Sequence, residues 1–209
     1  MFTGIVTAIG SITQTDPLGE GQGYGMRLTL ATPEGFLDDV ALGDSIALNG
    51  ACMTVTSLDA CANRFTIDIS AESLNKTHGL QREGRVNLEK AMRPTDRLGG
   101  HMVSGHVDGV GHLIALEPLG ESHRMRIAAP LPMARYLAYK GSVTVNGVSL
   151  TVNEVVDTPE HCEIRINLIP HTLSHTTLGD LQPGAGVNLE IDLMARYVER
   201  MMSLQQEQR

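Results

Sequence analysis

The chain repeats itself. Phe2-Thr3-Gly4-Ile5-Val6-Thr7-Ala8-Ile9-Gly10 has the same grammar as Val103-Ser104-Gly105-His106-Val107-Asp108-Gly109-Val110-Gly111: Gly4 meets Gly105, Val6 meets Val107 and Gly10 meets Gly111, each 101 positions later. The turn Asp16-Pro17-Leu18-Gly19-Glu20 returns at the same offset as Glu117-Pro118-Leu119-Gly120-Glu121. An offset this long is a duplicated domain, not a solenoid repeat. Whatever the chain folds into, about 100 residues must be able to close it, twice over.

Each half reads as short strands separated by glycine-rich turns. Gly43-Asp44-Ser45-Ile46-Ala47-Leu48-Asn49-Gly50-Ala51-Cys52-Met53-Thr54-Val55 aligns with Lys140-Gly141-Ser142-Val143-Thr144-Val145-Asn146-Gly147-Val148-Ser149-Leu150-Thr151-Val152 at an offset of 97. The four missing positions are accounted for by Gly21-Gln22-Gly23-Tyr24-Gly25, a longer hairpin loop in the first half. It does not fit the G-x-G-x-x-G phosphate loop and no helical pattern follows it. Asn-Gly between two β-rich runs predicts a type I′ hairpin in each half, because both residues tolerate positive φ. Arg64–Ile69 and Glu163–Leu168 form the next strand pair, and Val86-Asn87-Leu88-Glu89 and Val187-Asn188-Leu189-Glu190 close each unit. Residues 34–41 and 131–139 read as short helical connectors. About six strands per half at 8–12-residue intervals predict a small antiparallel sandwich or barrel. The tail differs: Met194, Tyr197, Val198, Met201 and Leu204 recur at helical spacing outside both repeats, predicting an amphipathic helix that serves oligomerisation.

Composition narrows the function. Sixteen basic against 24 acidic residues, a net charge of −8, argue against nucleic acid or an anionic membrane as partner. No run approaches a membrane span and no secretory signal opens the chain, so the expected compartment is the cytoplasm. Three cysteines (Cys52, Cys61, Cys162) without C-x-x-C spacing predict neither a disulfide framework nor a zinc site.

Few residues are left to carry chemistry. Cys52 beside Thr54 is matched in the second half by Ser149 beside Thr151, and a thiol and a hydroxyl at equivalent positions can both hydrogen-bond or add to an electrophile. A free cysteine is more often a small buried filler. His101 and His106 lie in a glycine-rich junction where backbone can approach a ligand closely. Lys140 and Asp192 are, on their own, ordinary solvated charges.

Together M-F-T-G-I-V, N-G-x-C-x-T-V with Ser149 replacing cysteine in the second half, G-G-H-x-V-S-G-H-V-D-G and K-G-S-V-T-V-N-G-V-S-L-T-V resemble riboflavin synthase of the alpha-chain type, over the whole chain to about Tyr197. The resemblance implies an all-β fold of two six-stranded Greek-key barrels (1–97 and 98–192) with a C-terminal oligomerisation helix (193–209), assembled as a homotrimer. It implies a dismutation without metal or cofactor. Two molecules of 6,7-dimethyl-8-ribityllumazine exchange a four-carbon unit, giving riboflavin and 5-amino-6-ribitylaminouracil, with the site between the N-barrel of one subunit and the C-barrel of another. Lumazine synthase is the further partner it suggests.

By motif match, the N-half pocket uses Gly4, Ile5 and Val6; Cys52, Met53 and Thr54; and Asp68, Ile69, Ser70, Ala71, Glu72 and Ser73. The C-half pocket uses Gly105, His106 and Val107; Ser149, Leu150 and Thr151; and Asn167, Leu168, Ile169, Pro170, His171 and Thr172, with Lys140 reaching across. Cys52 and Ser149 are the candidates for contact with the lumazine ring, His106 for proton transfer and Asp192 as an orienting carboxylate. Asn146 stands where many members of the family carry Asp; with Asn49 at the equivalent place, the residue reads as part of the turn. A ligand-carrying protein of the same fold is the rival reading. In such proteins one half typically loses its polar pocket residues, whereas here both halves keep theirs.

Overall fold

The computed structural model describes residues 1–21 and 23–207. In the first half β1 (Ala8–Pro17), β2 (Met26–Ala31), β3 (Ser45–Leu48), β4 (Ala51–Asp59), β5 (Arg64–Ile69) and β6 (Gly84–Lys90) close into a barrel ordered β1-β2-β5-β4-β3-β6. The second half repeats it with β7 (Gly109–Leu119), β8 (Ser122–Pro130), β9 (Ser142–Val145), β10 (Val148–Asp157), β11 (His161–Leu168) and β12 (Gly186–Ile191), neighbour for neighbour. In each barrel three consecutive strands form a meander and the second strand returns beside its far edge, the Greek-key connection. Among the described residues closure leaves no edge strand exposed to pair with another chain.

The registers are duplicated as well. β1 pairs β6 through Ala8 and Leu88, and β7 pairs β12 through Gly109 and Leu189. Bulges fall at matching places, between Ile12 and Gln14 and between Leu113 and Ala115, then between Val55 and Ser57 and between Val152 and Glu154. Such bulges bend the strands enough to close a six-stranded barrel. Each interior is a separate apolar core. Leu28, Ile46, Phe65, Ile67 and Leu88 fill the first, and Met125, Ile127, Val143, Ile164 and Leu189 the second.

Both Asn-Gly pairs adopt the left-handed region (Asn49 φ 44°, Gly50 86°; Asn146 46°, Gly147 80°), as the hairpin reading requires. The two turns then meet back to back. A Cβ on Gly50 would lie 2.9 Å from Gly147 N, and one on Gly147 2.8 Å from Gly50 N. Around this contact the closing strands exchange amides. Asn87 Nδ2 donates to the Asn146 carbonyl at 2.8 Å and Asn188 Nδ2 to the Asn49 carbonyl at 3.1 Å, while their Oδ1 atoms accept from Thr177 N and His78 N. The reciprocity relates the barrels by an approximate twofold. Asn188→Ala leaves His78 N and the Asn49 carbonyl unpartnered in a buried seam and lowers stability by about 2–3 kcal/mol, read by urea denaturation.

Of the two short helical connectors expected at 34–41 and 131–139, only the second contains helix. Residues 34–39 are turns, and Leu131–Tyr136 is a 3-10 helix. Two six-residue helices, α1 (Ala71–Lys76) and α2 (Pro170–His175), follow β5 and β11, and α3 (Leu193–Glu207) ends the described chain. Met194, Tyr197, Val198 and Met201 lie exposed along α3. Arg196 anchors its start, donating to both carboxylate oxygens of Asp108 at 2.7 and 2.9 Å.

On the outside of the second barrel Arg126 grips Glu163 through two hydrogen bonds of 2.9 Å, and Arg165 adds a third at 2.7 Å. The Arg126 guanidinium chiefly, with Arg165 beside it, pushes the Glu163 carboxyl down to about 2 from its ordinary 4.5. A depressed carboxylate stabilises the fold above its unfolded value and loses that contribution as pH falls from 4.5 towards 2. Glu163→Gln is therefore less stable than the parent by about 1–2 kcal/mol at pH 7, and the two converge in acid denaturation below pH 4.

Candidate active site

Each barrel is preceded by an extended strap, residues 2–7 and 103–108, and the straps cross. Phe2 N donates to the Val103 carbonyl at 2.8 Å and Val103 N returns a bond to Phe2 O at 3.1 Å. Beyond this bridge each strap runs to the other half's barrel. Ser149 N donates to the Gly4 carbonyl at 2.7 Å, and Cys52 N to the Gly105 carbonyl at 2.8 Å. Val6 packs against the core of the second barrel and Val107 against that of the first.

This corrects the grouping expected from the motifs. Gly4–Val6 belongs with Ser149, and Gly105–Val107 with Cys52. The physical reason is the seam itself: the Phe2–Val103 bridge holds the straps antiparallel at the centre, so each leaves it over the opposite barrel.

Two buried carboxylates fasten the straps. Glu89 Oε1 accepts from Thr3 N at 2.6 Å and Thr3 Oγ1 at 2.7 Å, and its Oε2 from Gly4 N at 3.0 Å. Glu190 repeats the pattern with Ser104 N, Ser104 Oγ and Gly105 N at 2.7, 2.6 and 3.0 Å. Burial raises both carboxyls above the ordinary value, and the strap donors pull the other way. So the carboxylate that holds a strap sits in the barrel that the strap precedes, while the strap's glycine reaches the opposite one.

In the first barrel β4 presents half-buried Cys52 and exposed Thr54 beside Gly105 and exposed His106, with Met53 turned into the core. The His106 ring makes no hydrogen bond among the described residues. At the end of β5 Asp68 is held by Arg27 at 2.8 and 2.9 Å; Arg27 keeps its carboxyl below the usual range. Ser70 caps α1 by accepting from Ser73 N at 3.1 Å. Ile69 is buried, while Ala71 and Glu72 stand in the first turn of α1.

The second barrel offers half-buried Ser149 and exposed Thr151 beside Gly4 and exposed Ile5, with Leu150 in the core. Asn167 replaces Asp68, its N–H donating to Asn153 Oδ1 at 3.1 Å. Leu168 is buried. Ile169, Pro170 and His171 line an exposed rim leading into α2, and Thr172 is half-buried there.

Lys140 has φ 62°, matching Gly43 at 89° in the first half, and its Nζ lies 5.3 Å from the Tyr139 ring centroid. Among the described residues its Nζ makes no hydrogen bond or salt bridge, while its backbone N–H donates to the Val152 carbonyl at 2.7 Å. Asp192 Oδ1 accepts from Met194 N at 2.9 Å, starting α3.

A cleft of about 720 Å³ lies between the first strap, the β3 and β6 ends and residues 91–99, reaching Ser45, the register partner of Thr54. Ile5 is the one residue of the expected pocket that lines it. A smaller cleft of about 370 Å³ lies behind α2, lined by Pro170 and His123, whose buried Nδ1 has no partner among the described residues. Neither cleft contains Cys52 or Ser149.

Three participants, Glu89, Glu190 and Thr144, lie outside the expected pockets. Glu89 and Glu190 were visible as the last residue of V-N-L-E in both halves, an acidic residue ending an otherwise apolar closing strand. His101 stands out beside His106 in the glycine-rich junction, but the motifs give it no role. Its ring lies against Ser149, and Thr144 behind it carried no signal at all.

The lumazine binding domain family matches this chain twice, at residues 3–91 and 104–192. Riboflavin synthase of Photobacterium phosphoreum is 44% identical over 97% of this chain and 89% of its own, and that of Mycobacterium tuberculosis H37Rv 44% over 97% and 98%. The chain belongs to the riboflavin synthase family. The Bacillus subtilis 168 riboflavin synthase is more distant, at 38% over 97% of this chain and 90% of its own. Among solved structures, LumP complexed with 6,7-dimethyl-8-(1'-D-ribityl) lumazine superposes with a TM-score of 0.76 at 25% identity, and LumP with riboflavin at 0.77 and 28%; each covers 91% of this chain and 99% of LumP. The duplicated family domain and the two closed barrels agree with each other. Among the described residues no helix is long and apolar enough to cross a membrane.

Proposed function

We propose that this chain, like the riboflavin synthases it resembles, dismutates two molecules of 6,7-dimethyl-8-ribityllumazine into riboflavin and 5-amino-6-ribitylaminouracil by four-carbon transfer. The observation that supports the reading is that both halves place the same residue types together, Cys52 and Thr54 beside Gly105–Val107 in one and Ser149 and Thr151 beside Gly4–Val6 in the other. A reaction between two identical substrates calls for two equivalent binding faces. The C7 methyl of the lumazine is acidic because the ring delocalises the carbanion, so the substrate is its own electron sink. What the protein supplies is position: two rings held face to face react as one unit. Strap backbone and the Cys52/Thr54 and Ser149/Thr151 side chains offer hydrogen bonds to ring and ribityl oxygens, and His106 moves protons at the rim.

The working unit we propose is a cytoplasmic homotrimer in which the N-barrel of one subunit faces the C-barrel of another. The exposed apolar face of α3 supports that assembly, and Lys140 and the 169–172 rim serve the shared site. The test is to incubate the protein with 6,7-dimethyl-8-ribityllumazine alone and follow riboflavin absorbance. One riboflavin per two lumazines consumed supports the dismutase; tight binding without product assigns the chain to ligand carriage instead.

A further inference from the structure

The two pockets are duplicated in strap, strand and glycine, but not in what stands behind the reactive side chain. His101 Nδ1 lies 2.7 Å from Ser149 Oγ, and its Nε2 lies 3.4 Å from Thr144 Oγ1. Its backbone N–H donates to the Thr3 carbonyl at 3.1 Å, which fixes the main chain from which the ring reaches Ser149. Glycine at position 100 permits the approach: a Cβ there would meet Thr3 O at 2.1 Å and Ser149 Oγ at 2.9 Å. Cys52, the equivalent of Ser149, has no histidine behind it and no side chain hydrogen-bonds its sulfur among the described residues.

Resting on the dismutase reading, we infer that His101 is the positioning residue of the second barrel's pocket, accepting the Ser149 hydroxyl proton at Nδ1 and donating from Nε2 to Thr144. Two consequences follow from that polarity. With its proton turned to Nδ1, the Ser149 oxygen faces the ligand as an acceptor, whereas the Cys52 thiol remains a weak donor. The chain Ser149–His101 is also a proton relay. When Ser149 Oγ takes a proton from bound substrate, the substrate keeps the electron pair of the broken bond and the hydroxyl's own proton passes to Nδ1. Serine stays neutral and the imidazole becomes cationic. Burial keeps His101 neutral in the resting protein, and the Asp192 carboxylate opposes this, favouring the cation once it forms. The pockets therefore differ in proton chemistry, with the relay confined to the second barrel.

The hydrogen bond is read first without turnover, by ¹⁵N NMR of the imidazole. The expected result is an unprotonated, hydrogen-bonded Nδ1 whose resonance moves in Ser149→Ala. A protonated Nδ1, or one indifferent to Ser149, overturns the inference. Kinetics with the lumazine then test its use. His101→Gln is expected to lose about 10- to 100-fold in kcat with KM within threefold, and His101→Ala to regain part of its rate with added imidazole. Thr144→Val, which removes only the Nε2 partner, is expected to lose less. A kcat of His101→Gln within twofold of the parent, or a loss confined to KM, overturns the relay. A parent protein that makes no riboflavin overturns the dismutase reading instead, and the NMR result still decides the hydrogen bond.

Discussion

Glu190→Ala is expected to cost about 3 kcal/mol of stability and to disable the pocket of the barrel in which Glu190 does not reside. The carboxylate stands at the end of β12 in the second barrel and gathers Ser104 N, Ser104 Oγ and Gly105 N. Alanine leaves these donors without an acceptor in a buried seam, and each unsatisfied group costs about 1–3 kcal/mol, part of which water recovers as the strap loosens. The released strap is the one whose Gly105 carbonyl accepts from Cys52 N, so the lesion appears at Cys52. A misplaced pocket wall costs at least about tenfold in kcat when two rings must be aligned. Glu89→Ala is the mirror image, loosening Gly4 from Ser149.

Glu190→Gln retains an acceptor oxygen and falls between. Because burial raises the Glu190 carboxyl above its ordinary 4.5, its contribution is full below that value and declines as pH rises through the raised one. The deficit of the glutamine variant therefore narrows as pH rises across that window. Urea denaturation at two pH values and steady-state kinetics check both parts.

Gly4→Ala is the second large effect, again about 3 kcal/mol. Gly4 has φ +75°, where an L side chain costs about 1–2 kcal/mol. The added Cβ would also stand 2.6 Å from Ser149 Cβ and 2.8 Å from Ser149 N, and crowding against backbone costs about 1–3 kcal/mol more because the neighbour cannot rotate away. The strap must lift off β10, taking Ile5 and Val6 with it, so activity falls at the Ser149 pocket. Gly105→Ala repeats the argument at φ +80° against Cys52 Cβ at 2.6 Å. Thermal denaturation with lumazine titration separates the fold loss from the site loss.

These two variants show how far the sequence could be read. The duplication, the Asn-Gly turns and the strand spacing are local patterns, and local patterns report local geometry: Asn49-Gly50 and Asn146-Gly147 adopted the torsions their composition demands. Barrel closure followed from the count of short strands and the resemblance to a known family. The candidate pocket residues were legible as residue types at equivalent places, but their grouping was not. A repeat aligns Gly4 with Gly105 and Cys52 with Ser149; it cannot say whether a strap serves its own barrel or its neighbour. That choice is made by long-range contacts, the Phe2–Val103 bridge and the Asn87 and Asn188 amides, which leave no periodic trace. The partners of His101 are hidden for the same reason, although the residue itself stands out in its glycine-rich junction. Its meaning comes from Ser149 and Thr144, 48 and 43 residues away in sequence, and not from its own surroundings.

Thiol labelling reads the crossed straps directly. Cys162 is buried and its thiol is pushed up to about 12, leaving negligible thiolate near neutral pH. With the exposed Cys61 replaced by serine, maleimide labelling followed by mass spectrometry reports Cys52 alone. Because strap 103–108 covers Cys52 and Glu190 holds that strap, labelling is predicted to accelerate about tenfold in C61S/E190A and to stay at the C61S rate in C61S/E89A. Faster labelling in C61S/E89A with no change in C61S/E190A would mean that each strap serves its own barrel, and would contradict the account.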